Sequence, residues 1–170
     1  KILRKMKRGL NSSGIKKKIE FLREANKEIS IRTSIIVGFP GETDKEFKEL
    51  CDFVQEVRFD RLGVFQYSEE EGTHGAEVFK DVIPAEVKDQ RKEQVMMLQQ
   101  DINYKKNKDL VGTTQRVLVD IANEQGTSLG RTYRDSPEID NYVKIKGKVQ
   151  PGEFYNVKIT DAMEYDLIGE

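Results

Sequence analysis

The sequence predicts two structural parts, an α/β domain followed by a small all-β barrel. The first part is indicated by a junction at which the β-branched run at 35–37 ends in Gly-Phe-Pro-Gly and a helix begins at Thr43. The second is indicated by five short strand-like runs that follow Gly112 and are separated by Gly, Asn, Asp and Pro. We therefore place the α/β domain over residues 1–111 and the barrel over residues 112–170.

Composition excludes several classes of protein. The chain has 170 residues and a formal net charge of -1, so it shows no overall bias towards nucleic acid or membrane surfaces. No apolar run approaches the roughly 20 residues that span a bilayer, and no signal peptide opens the chain, so we expect a cytoplasmic protein. Because the first residue is Lys1 and lies in a basic segment, we expect a fragment of a longer protein.

The single cysteine, Cys51, excludes an internal disulfide and a cysteine-based metal site built from this chain alone. Its spacing from Phe47, Leu50 and Val54 places all four on one helix face, which favours a buried core thiol. The only histidine, His74, lies in a loop-like segment and gives the thiol no evident catalytic partner.

Hydrophobic spacing orders the elements of the first part. They are a short basic helix over 1–9, a helix over 14–27, a strand over 29–39, a helix over 43–58, a strand over 59–67, an irregular loop over 69–76 and a long helix from 84 to about 110. The basic segment is either a solvated face or a contact for an anionic ligand. The buried side of the second helix is expected to hold Ile15, Ile19, Leu22 and Ala25 or Asn26. This alternation fits a β/α barrel or a doubly wound sheet.

The strand over 29–39 alternates between two faces. Thr33, Ile35 and Val37 point one way, and Arg32 and Ser34 point the other way together with Ile36 and Gly38. Arg32 and Ser34 on one face indicate a polar cavity, although Arg32 could equally belong to a structural ion pair.

The barrel strands are predicted over 115–121, 128–133, 142–146, 155–159 and 165–168. Pro151, Gly152 and Glu153 are typical of a turn between two of them.

Residues 31–43, preceded by Met6-Lys7-Arg8-Gly9, resemble the later part of the radical S-adenosylmethionine methylthiotransferases, and the terminal barrel is similar to their TRAM domain. The resemblance covers essentially the whole chain. Motifs at 60–68, 71–73, 97–100, 130–132 and 135–140 are similar to the branch that modifies an aspartate of ribosomal protein S-twelve. The glycine-proline-glycine turn alone is shared with the branch that modifies tRNA.

The resemblance implies the C-terminal part of a radical β/α partial barrel followed by a small antiparallel TRAM-type barrel. It also implies S-adenosylmethionine and two [4Fe-4S] clusters in the full-length protein, one of them held by a three-cysteine motif. That motif is absent from these 170 residues. We therefore assign no catalytic residue and no metal ligand to this segment and expect it to be inactive alone.

Strand facing and the resemblance together suggest two sets of site residues. The cofactor side is expected to include Arg32, Ser34, Gly38, Phe39, Pro40, Phe65, Tyr67 and Ser68. The substrate-docking set in the barrel is expected to include Arg131, Asp135, Glu138 and Asp140. A phosphate-cradling role for the glycine-rich turn is rejected because no Lys or Ser/Thr follows at the spacing of a nucleotide loop.

Local charge favours a protein substrate over tRNA. Residues 113–170 carry seven positive and ten negative side chains, a net charge of -3. An acidic barrel suits a basic ribosomal protein better than the phosphates of tRNA. A tRNA methylthiotransferase and a non-enzymatic binding module are the alternatives.

Overall fold

The computed structural model describes residues 1–123 and 126–170 and divides into two compact units, Lys1–Gln99 and Gln100–Glu170. The first unit contains α1 (Ile2–Lys5), α2 (Ser12–Ala25), β1 (Arg32–Val37), α3 (Asp44–Val57), β2 (Arg61–Gln66) and α4 (His74–Val78). Helix α5 (Ala85–Lys108) spans the division, and β3 (Thr114–Ile121), β4 (Thr127–Arg131), β5 (Val143–Lys146), β6 (Phe154–Ala162) and β7 (Leu167–Gly169) follow it. The predicted class, α/β plus an all-β barrel, is confirmed. No helix in these two ranges is both long enough and apolar enough to cross a membrane.

Strands β1 and β2 form a parallel two-stranded sheet. Ser34 is paired with Gly63 and Ile36 with Phe65, and paired residues of a parallel sheet point to the same face. Burial alternates along β1 and ends at the fully buried Val37, as the sequence predicts. One face of the sheet is therefore packed and the other is open.

A capping box begins α3. The Thr43 N–H donates to Glu46 Oε2 at 3.2 Å, and the Thr43 hydroxyl contacts the same carboxylate. That hydroxyl, together with the Lys1 ammonium at 3.1 Å, lowers the pKa of Glu46 to about 2. The start of α3 is thus fixed by two residues that are three positions apart in sequence, and Lys1 adds a charge from a distant position.

Acid should weaken this cap. Because the folded-state pKa of Glu46 is about 2 and its ordinary value is 4.5, the carboxylate stabilises the folded state above pH 4.5. That contribution is lost as the pH falls from 4.5 towards 2. We expect the difference in unfolding free energy between wild type and Glu46→Gln to shrink over this interval in urea titrations. A difference that does not change with pH would contradict the assignment.

Four predictions about the first unit are wrong in detail. The segment at 69–76 is not wholly irregular, because α4 begins at His74, where Thr73 Oγ1 accepts the Ala76 N–H at 3.3 Å. Helix α1 ends at Lys5 instead of continuing to Gly9, since Lys7 has a left-handed φ of 55°.

The other two errors concern burial. On α2 only Ile19 is buried, and it packs against Val57 and Phe59. Three other residues that were expected on the buried side of this helix are exposed: Leu22, Ala25 and Asn26. Cys51 is half-buried, not fully buried, and burial raises the pKa of its thiol, which disfavours a reactive thiolate.

The second unit is a closed barrel with the strand order β3-β4-β5-β7-β6. All five predicted strands are present, but the barrel is mixed instead of purely antiparallel because β5 and β7 pair in parallel. Its core consists of Val117, Val119, Val143, Ile145, Val157, Ile159, Ala162 and Leu167. The predicted turn is present at Gly152, which has a φ of 82°. Glu124, one of the ten negative residues counted in the sequence, lies outside the described residues.

Helix α5 buries polar residues as well as apolar ones. Val95 and Ile102 are buried, and so are five polar side chains: Lys88, Arg91, Gln99, Asn103 and Asn107. Within the first unit the Gln99 side chain donates to the Phe59 carbonyl at 2.9 Å. Within the second unit the Asn107 side chain donates to the Met163 and Tyr165 carbonyls. Main-chain carbonyls thus accept hydrogen bonds from the buried amide groups of Gln99 and Asn107.

Candidate cofactor face and docking loop

The open face of the β1–β2 sheet brings together three of the predicted cofactor residues, Arg32, Ser34 and Phe65. Phe65 is 58% exposed, and Ile36, which pairs with it, is 37% exposed. Gly63 lies between Ser34 and Phe65, and a Cβ at Gly63 would be 3.4 Å from the Phe65 ring and 3.9 Å from Ser34 Oγ. Arg61, which is paired with Arg32, points to the same face. The face therefore combines guanidinium groups, a hydroxyl and apolar surface, with a glycine beside Ser34 and Phe65.

The predicted residues of the turn, Gly38, Phe39 and Pro40, are buried and do not lie on this open face. Gly38 has a φ of 76°, and its N–H donates to Glu42 Oε1 at 3.1 Å. Phe39 is 3% exposed and packs edge-on against the Tyr67 ring, with ring centroids 5.0 Å apart. The turn and the end of β2 thus form one packed cluster at the carboxyl ends of the strands, where ligands of parallel sheets collect.

Within this cluster, Tyr67 carries a buried polar group, its hydroxyl oxygen, that lacks a hydrogen-bond partner in the described part of the chain. Burial, together with the negative charges of Glu69, Asp81 and Glu70, raises the pKa of Tyr67, so the phenol stays neutral at physiological pH. Ser68, the next residue, is exposed, and its hydroxyl donates to Glu70 Oε1 at 2.8 Å. A neutral hydroxyl and acidic groups therefore border this strand end.

A buried ion pair supports the turn from behind. Arg91 Nη1 lies 2.9 Å from Glu42 Oε1, and both side chains are less than one tenth exposed. Burial raises the pKa of Glu42, while the Gly38 N–H and the Arg91 guanidinium oppose that rise. Neither Glu42 nor Arg91 was among the predicted site residues. The sequence signal for Glu42 is its position beside the glycine turn, one residue before the helix cap Thr43.

The predicted docking residues of the barrel lie on β4 and the loop that follows it. The Thr132 N–H and hydroxyl donate to Asp135 Oδ2 at 3.2 and 2.7 Å, and the Ser136 N–H donates to Asp140 Oδ2 at 2.7 Å. Asp135 and Asp140 therefore shape the loop through its own backbone. Arg131 Nε forms an ion pair with Asp120 at 3.0 Å.

Exposed groups on the same loop could contact a partner directly. Glu138 is exposed and has a left-handed φ of 64°, and Ile139 beside it is 76% exposed. Tyr133 is exposed as well, and the Arg134 guanidinium lies 5.4 Å from the centre of its ring. The loop thus presents one carboxylate and two large apolar groups on a backbone held by Asp135 and Asp140.

Within residues 1–123 and 126–170, no three His, Cys, Asp or Glu side chains are grouped so that they could hold a metal ion.

The closed barrel is a TRAM domain, since residues 111–170 match the family description of that name. The chain as a whole is similar to proteins named "Ribosomal protein uS12 methylthiotransferase RimO". The identity is 45% with the protein from Cytophaga hutchinsonii, 46% with that from Natranaerobius thermophilus and 46% with that from Clostridioides difficile, and each match covers 99% of this chain. The predicted resemblance to methylthiotransferases is thereby confirmed. The chain spans about two fifths of the length of these relatives, 38–39%.

Proposed function

We propose that this chain is part of a radical S-adenosylmethionine methylthiotransferase that adds a methylthio group to an aspartate of ribosomal protein uS12 in the cytoplasm. The observation that carries the proposal is identity of 45–46% to proteins named for this activity, extending over both structural units. Residues 1–111 would supply the later part of the radical barrel, and residues 112–170 would dock the substrate protein.

The open face of the β1–β2 sheet supports S-adenosylmethionine as the ligand of the first part. The Arg32 guanidinium could pair with the carboxylate of the cofactor, and the Ser34 hydroxyl could form a hydrogen bond with it. Ile36 and Phe65 provide exposed apolar surface for its adenine base. Gly63 leaves room at the centre of this face. The cofactor would supply the methyl group and the radical chemistry, while these side chains would bind and orient it.

The two [4Fe-4S] clusters do not fit the described residues. Such clusters are held by sets of cysteine thiolates, and this chain has one cysteine, half-buried on α3. The relatives are more than twice as long as the chain, so we propose that the cluster ligands lie in other parts of the full-length protein.

The docking loop supports a protein partner. Glu138 and the net charge of -3 over residues 113–170 complement a basic ribosomal protein, and Ile139 and Tyr133 provide apolar anchors. We propose that Arg131, Asp135 and Asp140 act mainly by holding this loop and its strand in shape.

The proposal is tested with the full-length protein, its clusters reconstituted, and with uS12 and tRNA as competing substrates in one assay read by mass spectrometry. We expect the methylthio group on uS12 and none on tRNA. Modification of tRNA alone would support the tRNA alternative, and modification of neither would support a binding module.

A variant series locates the cofactor face within the same experiment. Gly63→Ala adds one methyl between Ser34 and Phe65 in ordinary van der Waals range, so we expect stability to be kept and affinity for S-adenosylmethionine to fall about tenfold. Arg32→Ala and Tyr67→Ala should also reduce modification of uS12. Gly9→Ala, whose methyl meets no atom within 4 Å, is the matched control. Wild-type cofactor affinity in Gly63→Ala would exclude this face.

A further inference from the structure

Two buried cations lie one turn apart on α5, Lys88 and Arg91. Their side chains are 9% and 8% exposed. Removing a charge from water is unfavourable unless the charge is paired and hydrogen-bonded, so two such residues on one helix face need specific partners. Those partners are Glu42 and Asp44, which follow β1, and Tyr67 and Asp81, which follow β2.

Arg91 is connected to the turn after β1. Its Nη1 donates to Glu42 Oε1 at 2.9 Å and to the Glu42 carbonyl at 3.2 Å, and its Nη2 donates to Asp44 Oδ1 at 2.9 Å. Glu42 Oε1 also accepts the Gly38 N–H. One carboxylate thus links the guanidinium to the backbone of the turn.

Lys88 is connected to both strand ends. Its aliphatic stem occupies the space that a side chain at Gly38 would need, with Lys88 Cγ 2.5 Å and Cδ 3.0 Å from the Cβ position. Its Nζ donates to the Tyr67 carbonyl at 3.0 Å, pairs with Asp81 and lies 5.5 Å from the centre of the Tyr67 ring. The Lys88 side chain therefore lies between the turn after β1 and Tyr67, the residue that follows β2.

We propose that Lys88 and Arg91 are positioning residues for the cofactor site: by holding the turn at 38–40 and Tyr67, they fix the carboxyl ends of the two strands whose open face binds S-adenosylmethionine. This inference rests on the proposed function. Both residues act through the backbone and side chains that they hold, and neither lies on the open face of the β1–β2 sheet. The partners of both come from outside α5, which explains why a helix face with two cations packs inward.

The test uses full-length protein carrying Lys88→Met, Arg91→Met or Arg91→Lys, with Lys92→Met as the matched control, an exposed lysine of the same helix. The readouts are the dissociation constant for S-adenosylmethionine, the KM for uS12, and amide hydrogen exchange in the peptide that contains residues 38–42. We expect Arg91→Met and Lys88→Met to weaken cofactor binding about tenfold or more and to speed exchange at 38–42. The KM for uS12 should stay within about twofold of wild type.

Arg91→Lys should recover only part of the cofactor affinity, because an ammonium keeps the charge beside Glu42 but lacks the guanidinium fork that also reaches Asp44. Thermal melting shows whether each variant is folded, and Arg91→Lys keeps the test valid if the methionine variants unfold. Wild-type cofactor affinity in folded Arg91→Lys and Lys88→Met would overturn the inference. If the wild-type protein itself binds no S-adenosylmethionine, the proposed function fails. In that case, amide exchange at 38–42 still tests the positioning role, and exchange rates in the variants that equal those of wild type would reject it.

Discussion

Gly38→Ala is expected to lower the unfolding free energy of the first unit by about 3 kcal/mol. Gly38 has a φ of 76°, a conformation that is unfavourable for any residue with a Cβ. The added methyl would also lie 2.5 Å from Lys88 Cγ. A flexible lysine would normally move aside, but this one is buried and its Nζ bonds the Tyr67 carbonyl and Asp81, so moving its stem breaks those contacts.

Urea unfolding followed by far-ultraviolet circular dichroism measures this loss. The control is Gly9→Ala, which makes the same chemical change in open space within the same unit. If Gly38→Ala were as stable as that control, Lys88 would not occupy the space beneath the turn as described.

Gly130→Ala is expected to destabilise the barrel by about 3 kcal/mol. A Cβ at this position of β4 would lie 2.6 Å from the Leu118 carbonyl oxygen and 2.6 Å from Val117 Cγ1. The carbonyl cannot retreat without disturbing the β3–β4 ladder, in which Gly130 is paired with Val119. Val117 is fully buried, so its methyl has no free space to enter.

Near-ultraviolet circular dichroism reports on this unit selectively, because five of the six tyrosines lie in residues 100–170. Thr127→Ala, an exposed change at the start of the same strand, is the matched control and should unfold at nearly the wild-type urea concentration. A Gly130→Ala transition that coincides with that of Thr127→Ala would mean that β3 and β4 are not so closely apposed.

The features that could be predicted from sequence are those determined by neighbouring residues. The start of α3 follows from Thr43 and Glu46, three positions apart, and the two faces of β1 follow from strict alternation. The barrel strands were found for the same reason, since each is a short β-prone run closed by turn residues.

The features that could not be predicted depend on residues distant in sequence. The burial of Lys88 and Arg91 is one such feature, because their partners are remote in the chain: Glu42 and Asp44 precede Arg91 by 49 and 47 positions. The parallel pairing of β5 with β7 was missed because a strand's own sequence does not specify the direction of its neighbour. Phe39 and Pro40 were expected to line a cavity, yet in this structure they are buried beside Tyr67, and their role in ligand binding stays a prediction.

The closure of the barrel limits how a partner protein can be held. Its five strands are all paired on both sides in the order β3-β4-β5-β7-β6 and back to β3. A partner therefore cannot extend this sheet by adding a strand of its own, which is a common way for domains to capture extended peptides regardless of their sequence. If this unit docks the substrate protein as proposed, recognition would use side chains and loops, and it would select the partner by its surface chemistry and not by its backbone.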